Sequence, residues 1–220
     1  MKTLKFFCGV LAAVAFSFAV APSADAQEVE NNVKKEGRNW FVGVAGGANF
    51  FGDGGYKPSV GAALDVNVGK WLTKELGLRL GYSGLTGSEW AFEPTVLGPA
   101  ENYNESKGMY KETFGFAYAH VDFMLNASHA IGGYKEERFW NFVPYFHTGY
   151  LRTYNRGNAA KFFDNDFVFG CGLLNSLRLS EKLDLTIDIR GLLMNGDHHG
   201  YSGTAGAIQT TVGISVDLCK

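Results

Sequence analysis

Two groups of polar residues in this chain have the make-up that chemistry requires. The first is Asp197, His198, His199, Tyr201 and Ser202, all within one short segment. A hydroxyl nucleophile, an imidazole base and a carboxylate to orient it are the parts of an acyl-transfer site. The two imidazoles also raise metal binding, but adjacent residues of an extended chain point to opposite faces, and no third ligand stands at a matching spacing. Gly196, Gly200 and Gly203 bound the segment, and a polar stretch punctuated by glycine reads more simply as a hairpin loop. The expectation is no catalytic residue, no metal and no cofactor; a lipid-modifying enzyme is the alternative this segment keeps open.

The second group is Asp65, Arg79, His120, Asp122, Asp184, Asp188 and Arg190. Six have hydrophobic neighbours on both sides, as in Leu64-Asp65-Val66 and Leu78-Arg79-Leu80, and Arg190 lies between Ile189 and Gly191. Alternation of this kind puts the charges on one face of a strand and Val, Leu, Ile and Phe on the other. The charged face is also rich in glycine and poor in Lys and Glu, unlike a face turned to bulk water. Arg79 and Arg190 have Asp65, Asp122, Asp184 and Asp188 as available partners, so the group reads as a paired polar plug inside a narrow space. His120 and His147 belong to the same face as hydrogen-bonding residues.

Positioning these residues takes eight strands, at about 39–51, 59–70, 76–83, 114–126, 141–151, 167–179, 183–194 and 207–218, all with period-two patterning. Pro144 lies inside the fifth and lacks a ladder donor, so a slip or bulge is expected there. Asn175 interrupts the apolar face of the sixth. Links after the second and sixth strands are short. The stretch after the third, Leu85 to Thr113, is the longest, with Trp90, Phe92, Tyr103 and Tyr110 as candidates for surface contact, packed on one another or extending the flanking strands. Trp40, Trp71 and Trp140 fall at one set of strand ends, and Phe50, Tyr82, Phe114, Tyr150 and Phe167 near the other, as two interfacial belts would. The fold class expected is all-β: an eight-stranded antiparallel up-and-down transmembrane β-barrel. Its short turns and both termini lie on the periplasmic side.

The start of the chain explains how it reaches a membrane. Lys2 and Lys5 precede an apolar run from Phe6 to Val20, and Ala24-Asp25-Ala26 supplies small residues for cleavage before Gln27. Residues 1–26 read as an export signal, too short in its apolar part for the roughly 20 residues of a spanning helix. Residues 27–38 read as a polar periplasmic lead-in, and 39–218 as the outer-membrane barrel. A formal charge of −2 argues against nucleic acid as a partner. With 29 glycines, 15% aromatic residues and a mean hydropathy of −0.07, the chain is neither a helical membrane protein nor a disordered one. Cys171 and Cys219 are expected to be unpaired.

The motifs Trp40-Phe41-Val42-Gly43-Val44-Ala45-Gly46-Gly47, Leu78-Arg79-Leu80-Gly81-Tyr82, Pro144-Tyr145-Phe146 and Val212-Gly213-Ile214-Ser215-Val216 resemble the small eight-stranded outer-membrane barrels, the OmpA transmembrane domain and its relatives OmpX and Ail. The resemblance spans residues 39 to 218. It implies outer-membrane lipid as surroundings, the barrel assembly machinery as partner during insertion, and a role in envelope integrity, adhesion or contact with an extracellular ligand or host surface. The chain departs from the pattern at its end, where Leu218-Cys219-Lys220 replaces the usual terminal aromatic. No peptidoglycan-binding domain is expected after the barrel, and a tethering role is not expected. The function expected is thus non-enzymatic: envelope structure or surface interaction, with a lipid-modifying enzyme or a small pore as alternatives.

Overall fold

The computed structural model describes residues 40–52, 57–94, 102–135, 137–155, 163–196 and 203–218. All belong to the compact unit Asn39–Lys220. The export-signal and lead-in segments lie outside them, as does the Asp197–Ser202 segment.

Nine strands and one short helix are formed: β1 (Trp40–Gly52), β2 (Lys57–Trp71), β3 (Leu76–Ala91), β4 (Tyr103–Asn104), β5 (Met109–Leu125), α1 (Ala127–Gly132), β6 (Trp140–Tyr154), β7 (Phe163–Arg178), β8 (Leu183–Gly196) and β9 (Gly203–Asp217). β4 is a two-residue strand paired to β5 in the long hairpin. The other eight form a closed antiparallel wall, β3-β2-β1-β9-β8-β7-β6-β5, which β5 completes by pairing with β3. Closure removes the sheet edges that an open sheet would leave unpaired in lipid. No helix among the described residues is long and apolar enough to cross a membrane.

Alternation decides which face turns inward. On β2, Val60, Leu64, Val66 and Val68 are exposed while Ala63 and Asp65 are buried. β3 exposes Leu76, Leu80 and Tyr82 and buries Arg79 and Ser83. Along β5, Phe123 is exposed, and Tyr118, His120, Asp122 and Met124 are buried. The greasy side chains form the outer wall and the charged ones line the interior, an arrangement that only a non-aqueous surrounding makes favourable.

Several strands are longer than their patterning suggested. β3 continues to Ala91 and β5 begins at Met109, so much of the stretch from Leu85 to Thr113 is a strand hairpin rather than a loop, paired without a break from Leu76↔Leu125 to Ala91↔Tyr110. Roughly 9–11 residues of tilted strand cross a bilayer; β3 has 16 and β5 has 17, so the hairpin stands beyond the apolar band.

Pro144 does not produce the expected slip. The register of β6 with β7 runs unbroken through Pro144↔Leu173, and the pairing with β5 stops one residue earlier, at Met124↔Tyr145. The missing donor therefore falls where no β5 partner remains. The irregularity lies elsewhere: β2 carries one extra residue against β3 between Pro58 and Ala63. At this bulge Leu85 takes a φ of 139°, unusual for a residue with a side chain. Asn49, reaching from β1, donates its amide to Ala62 O at 3.0 Å and Thr86 O at 2.9 Å, and Thr86 Oγ1 accepts from Ala62 N at 3.0 Å. These bonds replace the ladder that the bulge interrupts.

The link between β5 and β6 holds α1, whose first turn is capped by Asn126 accepting from His129 N at 3.0 Å. The links at 72–75 and 179–182 are tight turns, closed by Leu72 N donating to Leu76 O and Leu179 N donating to Leu183 O. This is the turn end of the barrel; the other is the hairpin end.

Candidate functional site

The lumen is filled in three layers. At the turn end Phe41, Met124, Val143, Tyr145 and Leu174 form an apolar cluster, with Trp71 packed against it. At the hairpin end Phe51, Phe114, Phe116, Leu151, Val168, Leu192 and Met194 form a larger one. Between the two lies the polar layer.

Six of the seven charged or imidazole residues singled out by patterning meet there. Arg79 donates from Nε to Asp122 Oδ2 at 2.5 Å and from Nη2 to Asp188 Oδ2 at 2.9 Å. From the opposite wall, Arg190 Nη1 reaches Asp65 Oδ2 at 3.2 Å and His120 Nε2 at 2.8 Å. The guanidinium has only protons to offer, so His120 Nε2 accepts, and the ring proton sits on Nδ1, which donates to Asp122 Oδ1 at 2.7 Å. His120 is thereby held between a cation and a carboxylate. Asp184 stands apart. Its Oδ2 accepts from Ser176 Oγ at 2.5 Å near the turn end, and neither arginine bonds to it.

Three further residues complete the layer: His147, which the sequence placed on this face as a hydrogen-bonding residue, and Tyr118 and Tyr145, which charge patterning did not reveal. Tyr145 donates its hydroxyl proton to Asp188 Oδ1 at 2.5 Å and accepts from Arg190 Nε at 3.1 Å. Its ring lies beneath the Arg79 guanidinium, 4.8 Å from centroid to Cζ. Tyr118 stacks on His120 with centroids 4.9 Å apart and donates its O–H to His147 Nδ1 at 2.7 Å. His147 Nε2 then donates to Gly191 O at 3.0 Å. One signal marks Tyr145 and His147, together with His120 and Phe41: each faces a glycine on the neighbouring strand. The pairs are Tyr145↔Gly172, His120↔Gly81, His147↔Gly170 and Phe41↔Gly69. A Cβ at any of these glycines would run into the opposing ring, so the rings lie flat against bare backbone and fit a narrow lumen.

Such a layer does structural work. Two buried arginines and three carboxylates, each with hydrogen bonds, are costly to disturb one at a time; losing one partner of a buried pair costs about 3–5 kcal/mol. An apolar cluster lies on either side of the layer. Among the described residues no group of three His, Cys, Asp or Glu is arranged to hold a metal ion.

The outer hairpin is the second candidate. Trp90 lies under Lys107, whose Nζ is 4.0 Å from the ring centroid, with the Lys111 Nζ at 5.9 Å. Tyr103 and Tyr110 pack with centroids 5.0 Å apart, and Phe92 is the most open of the four at 61% exposure. Two aromatics assigned to the belts turn inward instead: Phe114 is buried in the lumen and Trp71 packs on Phe41 at 6.1 Å. Trp40, Trp140, Phe50, Tyr82, Tyr150 and Phe167 remain on the outer wall. Asn175 interrupts that wall because it accepts from Trp140 Nε1 at 3.1 Å. Cys171 is a free thiol on β7.

No protein-family profile matches the chain. It is 26% identical over 166 residues to Outer membrane protein 41 of Porphyromonas gingivalis, covering 73% of this chain and 39% of that protein. To Outer membrane protein 40 of the same organism it is 26% identical over 164 residues, covering 70% and 40%. The chain thus spans about two fifths of the length of the curated relatives it matches. Among solved structures it is similar to Neisserial surface protein A, with a TM-score of 0.57 at 8% identity over 81% of this chain and 97% of that one. It is also similar to OprG from Pseudomonas aeruginosa, with a TM-score of 0.52 at 8% identity over 83% and 97%. In fold, this chain is a small eight-stranded antiparallel β-barrel of the outer-membrane kind, and the proteins it is similar to are outer-membrane proteins.

Proposed function

We propose that this protein is a closed, non-enzymatic outer-membrane barrel whose role is envelope structure or surface contact. In this reading residues 1–26 are removed on export, the barrel assembly machinery inserts the chain, and the turn end faces the periplasm. The hairpin of β3 and β5 then rises from the headgroup level of the outer leaflet. There Trp90, Phe92, Tyr103 and Tyr110 are presented to an extracellular ligand or host surface.

The observation that carries the reading is the filled lumen. A polar layer of Asp65, Arg79, His120, Asp122, Asp188, Arg190 and Tyr145 is capped by apolar side chains at both ends. Eight strands leave room inside for side chains and little else, so the interior serves rigidity rather than transport. Planar-bilayer recording of the refolded protein tests this. Silence across the physiological voltage range is expected; steady, ohmic conductance steps would favour a small pore instead.

A further inference from the structure

Charge is sorted by face. Every Asp and Glu on the described barrel strands lies on the lumen-facing parity, from Asp65 and Glu89 to Asp184 and Asp217. The charged residues on the outer wall are cations: Lys70 at the turn end, and Lys57, Lys111 and Arg152 toward the hairpin end. Two of these cations gather at one point with a third, Lys107, from the turn between β4 and β5. Lys57 and Lys111 both pair in register with Trp90, on β2 and β5 either side of it, and Lys107 covers its ring at 4.0 Å.

Directly below, toward the membrane band on the same strand, the wall has a cleft of about 130 Å³ lined by Leu64, Val66, Tyr82, Gly84, Leu85 and Tyr154, with Phe116 of the lumen cluster at its base. Two features open it. The bulge between Pro58 and Ala63 breaks the pairing of β2 with β3, and Leu85 leaves the regular strand conformation with its φ of 139°. From Leu85 to Trp90 is roughly 16 Å along the strand at about 3.3 Å per residue, or roughly 12 Å in height for a strand tilted by about 45°, the span from upper acyl chain to headgroup.

We propose that this strip of wall is a seat for one phosphorylated membrane lipid. Its phosphate sits among Lys57, Lys107 and Lys111 beside Trp90, and an acyl chain lies in the cleft between Tyr82 and Tyr154. The occupant follows from charge complementarity: an amphiphile that reaches both features must be apolar at Leu64 and Leu85 and anionic at Trp90. A protein partner would have to enter the apolar band to touch the cleft, and a free anion has no use for it.

Native mass spectrometry of the full-length refolded protein tests the proposal after reconstitution with bisphosphorylated lipid A, its dephosphorylated form, or phosphatidylcholine. One retained copy of the phosphorylated lipid is expected, with retention falling about tenfold or more in the triple variant K57Q/K107Q/K111Q, since each cation near an anionic headgroup contributes separately. Filling the cleft with Leu64→Trp is expected to lower retention with the lysines intact. Folding is checked by heat-dependent gel mobility; should the triple variant fail to fold, Lys107→Gln, in the turn beyond the barrel wall, carries the test alone. Equal retention of the dephosphorylated lipid overturns the proposal, as does retention unchanged by the lysine substitution or retention abolished by inorganic phosphate at the same concentration. A conducting lumen would leave it standing, because the seat lies on the outer wall.

Discussion

Arg190 is the residue on which the interior depends most. It touches Asp65, His120 and Tyr145 through hydrogen bonds of 2.8–3.2 Å and lies 3.7 Å from oxygens of Asp122 and Asp188. Arg190→Met would leave three buried carboxylates sharing Arg79, and a loss of about 3–5 kcal/mol is expected in the urea midpoint of the refolded barrel. Asp184→Asn is the matched control. Its carboxylate bonds only to Ser176 in this interior, so a change of at most about 1 kcal/mol is expected. A second residue-scale test uses the ring-on-glycine packing. Gly172→Val would push Tyr145 off Asp188 and Arg190, and should destabilise far more than the same substitution at an open glycine on the wall. These residues were unequally legible in sequence. Alternation identified the lumen parity of Asp65, Arg79, His120, Asp122, Asp188 and Arg190, because burial and side-chain period are local properties. It did not reveal that Asp184 lies at another level, nor that Tyr118, Tyr145 and His147 tie the layer together. Height along the axis depends on register between strands far apart in the chain, and alternation within one strand does not encode it.

At the scale of elements, the bulge in β2 and the extended hairpin are the departures from simple patterning. Asn49 replaces lost ladder bonds with two side-chain donations. Asn49→Ala is expected to cost about 1 kcal/mol, the loss of two part-buried hydrogen bonds to carbonyls that water can partly reach, and to loosen the β2–β3 seam in hydrogen exchange before the rest of the barrel. Pro144 misled in the opposite direction: proline forbids a ladder bond, but here the pairing of β6 with β5 has already stopped, at Met124↔Tyr145. Phe114 and Trp71 misled because an aromatic near a strand end suits either a belt or a lumen plug, and only parity relative to a paired partner separates them. The outer wall makes its own demand. Leu80, 58% exposed and paired with Val68 and Val121, should tolerate arginine badly; Leu80→Arg is expected to cost about 2–4 kcal/mol in bilayers.

For the whole molecule, closure, alternation and lumen filling serve one purpose: backbone donors and acceptors pair from strand to strand around the ring, and every carboxylate on the described strands is kept off the lipid face. Eight strands were readable from the sequence because their period-two pattern repeats; the layered lumen was not, because it depends on which strands face one another across the axis. Intact mass of the membrane-extracted protein should correspond to a chain beginning at Gln27, the expected product of signal removal; a mass including residues 1–26 would show that the segment is retained. Orientation of the wall is the claim under all the others. Spin labels placed one at a time at Val66, Leu80 and Ile187, in a background with the native cysteines replaced by serine, test it in reconstituted bilayers. High accessibility to oxygen with low accessibility to a water-soluble nickel chelate is expected at all three, with the reverse at Lys111. Chelate accessibility at Val66, Leu80 and Ile187 equal to that at Lys111 would contradict the account.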